Sequence, residues 1–119
     1  MVEYNEKAAH VYGLLREAWE SCVEDDLFYS VVCRYRNSVQ ALKLIEVAIE
    51  DSDSHHVDLQ MSKASTWMTG HDRSKALHYD LPAPAELLID INCLRQYSRE
   101  LINRREQTRK RRKKQLEPQ

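Results

Sequence analysis

Arg73 and His78 stand five residues apart in GHDRSKALHYD, residues 70–80, and both types suit phosphate-ester chemistry. An arginine beside a reacting phosphate stabilises the charge that develops on its oxygens. A histidine can take the proton of a ribose 2′-hydroxyl or supply one to the leaving oxygen. That reaction needs no metal. With eleven Arg and five His in 119 residues, a pair at such a spacing arises about once by chance. The competing reading is therefore a solvated loop, in which Asp72 and Asp80 partly neutralise Arg73 and Lys75.

Other chemistry finds less support. The cysteines Cys22, Cys33 and Cys93 show no paired spacing, and His55-His56 are adjacent rather than a helical turn apart. Neither pattern matches a zinc site, so no metal is expected. Three free thiols point to a reducing, cytoplasmic setting. Two glycines cannot build a phosphate-cradling loop, and no nucleotide cofactor is implied. MSKASTWMTG (61–70) resembles the end of a DNA-recognition helix, but the stretch from Ser62 to Trp67 is too short for one.

Charge is the stronger signal. Residues 1–103 carry ten basic and seventeen acidic groups, whereas 104–114, RREQTRKRRKK, carry eight basic groups and one acid. Arg104, Arg105, Arg109, Lys110, Arg111, Arg112, Lys113 and Lys114 can neutralise several phosphates without reading sequence. No aromatic residue is interleaved, so base stacking is not suggested. Nucleic acid, RNA or DNA, is the expected contact. A dock for an acidic protein is the competing reading.

The elements that must position these residues are helical. Ala8, Val11, Leu15, Ala18 and Cys22 space 3-4-3-4, widened by Tyr12, Leu14 and Trp19, and predict a helix over 6–23 with Asn5 as cap. Glu24-Asp25-Asp26 interrupts the stripe and predicts a turn. Phe28, Val32, Tyr35, Val39, Leu42, Ile45 and Ile49 then predict a second helix over 27–50, with Leu42 in the core. EDSDSHH (50–56) reads as a loop. Val57, Met61, Ala64 and Met68 predict a helix over 56–69, ended at Gly70. Pro84 suits the first turn of a last helix carrying Leu87, Ile91, Leu94, Tyr97 and Leu101. Beyond Ile102 the apolar stripe stops, and the basic run reads as a solvated helical extension. The expected fold is all-α: a helical hairpin over 6–50 packed on a long C-terminal helix. Residues 1–103 form the helical domain and 104–119 the basic extension. No apolar run reaches membrane-spanning length, and MVEYNEKAAH lacks a signal-peptide profile, so no membrane contact is expected.

Two resemblances bear on function. Arg73-x4-His78 is similar to the R-x4–6-H motif of HEPN ribonucleases, with Ser74 where Asn, Asp or His is usual. It implies a small metal-independent ribonuclease acting as a homodimer. The stretches LLREAWESCVEDDLFYSVVCRYRNSVQALKL (14–44) and MSKASTWMTGHDRSKALHYDLPAPAELLIDI (61–91), with the RKRRKK ending, resemble another family over about 11–114. That family is the C-terminal helical region of RecF/SMC-like AAA ATPases of the phage-defence and anticodon-nuclease type. The sequence holds none of their ATPase part, so ATP hydrolysis does not carry over. The positions that match, Trp19, Trp67, Gly70 and Leu87, are structural ones. This second resemblance implies a non-catalytic helical module that works on nucleic acid or beside a larger ATPase partner.

Overall fold

The computed structural model describes residues 2–34, 36–68 and 81–117. Their elements are α1 (Val2–Cys22), a π-helical turn (Val23–Leu27), a 3-10 turn (Ala41–Glu46), α2 (Asp51–Trp67) and α3 (Pro84–Leu116). No strand occurs among the described residues. The all-α class read from the sequence is the class of the structure, with a long C-terminal helix packed against the N-terminal pair.

α1 starts before the expected cap. Asn5 lies inside the helix, and its Oδ1 accepts the Leu81 N–H at 3.4 Å, tying the start of α1 to the entry of α3. The buried face is Ala8, Tyr12, Leu15, Trp19 and Cys22, with Ala9 beside it. Tyr12 and Trp19 are its centre rather than its margin, and both are wholly buried. Large aromatic rings remove the most surface from water, so they set the phase of the helix.

The turn falls where the three acids predict it. The Phe28 N–H donates to Val23 O at 2.9 Å and the Ser30 N–H to Glu24 O at 2.8 Å, closing α1 with a widened turn. Tyr29 and Ser30 have φ of 48° and 56°. Left-handed backbone costs an ordinary residue roughly 1–2 kcal/mol. The Ser30 hydroxyl offsets part of this by donating to Asp25 at 3.1 Å.

The second helix over 27–50 is not formed. Among the described residues after Leu27, where the π turn ends, only Ala41–Glu46 is helical there, as a 3-10 turn. Leu27 and Val31 are buried instead of Phe28 and Val32, and Leu42, expected in the core, is 95% exposed. Arginines supply the hydrogen bonds that a helix would have made. Arg36 donates to Ser30 O and to Val31 O, the latter at 3.0 Å, and to Ser38 O at 3.2 Å. Arg34 pairs with Glu20 and Glu24, both at 3.2 Å, pinning the segment to the end of α1.

The partner of α1 is therefore α2, which begins five residues before its expected start. The expected loop EDSDSHH is its first turns. Glu50 is the extended N-cap (φ −104°, ψ 157°). Asp53 reaches back to the Glu50 N–H at 2.8 Å, as the acid of a capping box does. Acids in the first turn also complement the helix dipole. Ala64 is buried, while Val57, Met61, Trp67 and Met68 pack against the core. Of the two tryptophans, Trp19 is fully buried and Trp67 half-buried.

α3 starts at Pro84 as expected and runs without a break to Leu116. The boundary drawn between 103 and 104 lies inside this helix. Its buried face does not stop at Ile102. Tyr97 and Leu101 are followed in phase by Arg104, Thr108 and Arg112, of which Thr108 is 1% exposed. No helix among the described residues is long and apolar enough to cross a membrane.

Candidate nucleic-acid interface

The eight cations of 104–114 divide by the face of α3 on which they stand. Four arginines turn inward. Arg104 forms a fork on the Asp53 carboxylate at 2.6 and 3.1 Å and donates to Ala48 O at 3.2 Å. Arg105 lies over the Tyr29 ring, 4.1 Å from its centroid. Arg109 approaches Glu46 at 3.9 Å. Arg112 donates to Leu44 O at 2.8 Å and Val47 O at 2.5 Å. The guanidinium carries five donors and no acceptor, which suits it to the several carbonyls that this segment turns towards α3.

Lys110, Arg111, Lys113 and Lys114 turn outward and are exposed. Lys110 is 3.5 Å from Glu106, one turn earlier on the same helix. Arg111, Lys113 and Lys114 form no ion pair among the described residues. Upstream on the same helix, Arg95 and Arg99 are also exposed and likewise unpaired among the described residues. The sequence reading missed these two. Carrying the helical period back from Lys113 and Lys110 finds them.

Asp53 is the best-enclosed charge, at 2% exposure. Burial alone would raise its pKa. Hydrogen bonds from Arg104, the Glu50 N–H and the Tyr97 hydroxyl (2.8 Å) outweigh this and hold it below the usual carboxylate range. The Asp53 hydrogen bond in turn pushes Arg104 up. Burial, and then the Asp53 contact, push Tyr97 up. Its ring packs at a tilt against those of His56 and Trp19, at centroid distances of 4.7 and 5.5 Å. The sequence signal for this cluster was Glu50-x-x-Asp53, a capping spacing ahead of an apolar run.

A second cluster centres on Asp90. It accepts from the Tyr12 hydroxyl at 2.7 Å and pairs with Lys63 at 3.0 Å, and Lys63 also meets Glu86 at 3.0 Å. Burial lowers the Lys63 pKa, but the two carboxylates more than reverse that and raise it. Burial and Asp90 push Tyr12 well above its ordinary range. Burial, then Asp26, push the Cys22 thiol up to about 12. Burial also raises Cys93, whose Sγ is 3.8 Å from His56 Nε2. These shifts keep Tyr12, Tyr97 and both thiols protonated near neutrality, so none is poised as a base or nucleophile. Both clusters hold helices together.

An apolar groove, about 710 Å³, lies between the chain after the π turn and α2. Val23, Phe28, Val32, Val57 and Met61 line it, and its polar lining, Glu20, Glu24 and Arg34, is engaged in ion pairs. No group of three metal-ligating side chains that could hold an ion occurs among the described residues. Arg73 and His78 lie outside the described residues. No protein-family model, no curated protein and no solved structure matches the chain.

Proposed function

We propose that this chain is a non-catalytic helical module that contacts nucleic acid through the outward cations of α3, beside a larger ATPase in a cytoplasmic phage-defence type of system. The observation that carries the first part is the division of the basic run. Arg104, Arg105, Arg109 and Arg112 are engaged by the body, whereas Lys110, Arg111, Lys113 and Lys114 stand exposed on a helix whose other face is fixed. Charges held on a rigid rod lose little freedom on binding, which favours a polyanion over bulk ions. The resemblance of 14–44, 61–91 and the basic ending to C-terminal regions of RecF/SMC-like ATPases supports the second part.

The first part is tested by fluorescence anisotropy on a mixed set of DNA and RNA oligonucleotides. Replacing Lys110, Arg111, Lys113 and Lys114 together with Gln should cut affinity at least tenfold. It should also flatten the dependence of log K on log[salt] by roughly one unit per lost phosphate contact. Unchanged binding, or no binding by the unaltered chain, overturns it.

A further inference from the structure

At 100° per residue, Arg95, Arg99, Lys110, Lys113 and Lys114 fall within an arc of about 100° on α3, opposite its buried face. The buried face is fixed by Asp90, Tyr97, Leu101 and Thr108. All five cations are exposed. They form two groups, with Arg99 and Lys110 about 16 Å apart along the axis and the outermost pair, Arg95 and Lys114, about 28 Å apart. Between the groups the arc carries Asn103 and Glu106, and Glu106 is paired with Lys110.

That spacing carries information about the ligand. The major groove of B-form DNA separates two charged backbones by about 12 Å, and long arginine and lysine side chains close the remaining few ångströms. A single strand is commonly held on aromatic platforms. The arc has none, because the aromatic residue on this part of α3, Tyr97, is buried against Trp19 and His56. The major groove of A-form RNA is narrow, so its two backbones lie too close together to match groups about 16 Å apart. Asp25 and Asp26 line the same groove as Arg95 and Arg99. Each already accepts a hydroxyl, from Ser30 at 3.1 Å and Ser98 at 2.7 Å respectively.

We propose that α3 lays its outer face across the major groove of double-helical DNA, with Arg95 and Arg99 on one backbone and Lys110, Lys113 and Lys114 on the other. This rests on the nucleic-acid reading above and adds to it two binding residues and the class of ligand. The contact is to phosphates, so it is strongly salt-dependent and blind to base sequence.

The test uses the full chain with a 20-base-pair DNA duplex, its single strand and a duplex RNA of the same sequence. The duplex DNA should bind at least tenfold more tightly than either alternative. Replacing Arg95 and Arg99 together with Gln should weaken duplex binding about tenfold and reduce the salt slope by about two. Circular dichroism should stay unchanged, since neither side chain has a partner to lose among the described residues. Equal affinity for single strands or for duplex RNA overturns the proposal. So does a double variant that binds duplex DNA like the original chain while the Lys110-to-Lys114 variant does not. Either result leaves the nucleic-acid reading standing. Failure of the unaltered chain to bind any of the three probes sinks both.

Discussion

Two stretches of one face of α3 meet the body in opposite ways. Around Tyr97 and Leu101 the helix buries apolar surface against α1 and α2. From Arg104 to Arg112 the same face meets the 3-10 turn and its flanks with guanidinium groups. The difference follows from what lies opposite. α1 and α2 have satisfied their own backbone, so only apolar surface is left to cover. Val47 and Ala48, just past the 3-10 turn, present part-buried carbonyls that take their hydrogen bonds from Arg112 and Arg104, and a buried carbonyl left unpaired costs roughly 1–3 kcal/mol. Arginine is then the better core residue, and a charge pattern that reads as solvated becomes part of the packing.

The largest break in that comparison is Arg104→Ala. It strands the Asp53 carboxylate at 2% exposure. Removing one partner of a buried pair costs about 3–5 kcal/mol, read as the shift in a urea midpoint. Deleting 104–119 removes the same partner along with Thr108 and Arg112, and should destabilise at least as much. A truncated chain as stable as the full one would show that the arginines only decorate the surface. Leu101→Ala, on the apolar stretch, should cost about 2–5 kcal/mol through its cavity.

The pH dependence should separate the two stretches. Asp53 has a folded pKa below its unfolded value, near 3.9. Its contribution is therefore complete above about pH 4 and is lost as the pH falls further. Cys22, Tyr97, Tyr12 and Lys63 have folded values above their unfolded ones. Their contribution is complete below about pH 8.5, where the first unfolded group, the thiol, begins to ionise. It is lost as the pH rises through the raised values. Thermal melts from pH 3 to 11 should show a plateau with both flanks falling. Combining Arg104→Met with Asp53→Asn should flatten the acid flank and leave the alkaline one. An acid flank of unchanged steepness would detach it from this pair.

The smallest effect belongs to Leu42→Ala. At 95% exposure the side chain covers almost nothing, so stability should move by no more than about 0.5 kcal/mol. A cost above about 2 kcal/mol would mean that 28–50 packs as the amphipathic helix its spacing suggests.

The sequence by itself determined whatever a single helix settles locally. Ala8, Leu15 and Cys22 marked the buried side of α1, Glu24-Asp25-Asp26 marked its end, and Pro84 marked the start of α3. The apolar face of α3 was legible to Leu101. The all-α class followed from these periodicities. Tertiary structure decided the rest. The stripe from Phe28 to Ile49 has good helical spacing, yet spacing cannot say whether a partner surface is there to cover it. Among the described residues, α3 offers arginines at that end, so the segment settled into a chain of arginine-capped turns. The roles of Arg104 and Arg112 were hidden for the same reason. A basic residue reads as solvated until the carbonyls and the carboxylate it will meet, some fifty to seventy residues away in sequence, have been folded against it.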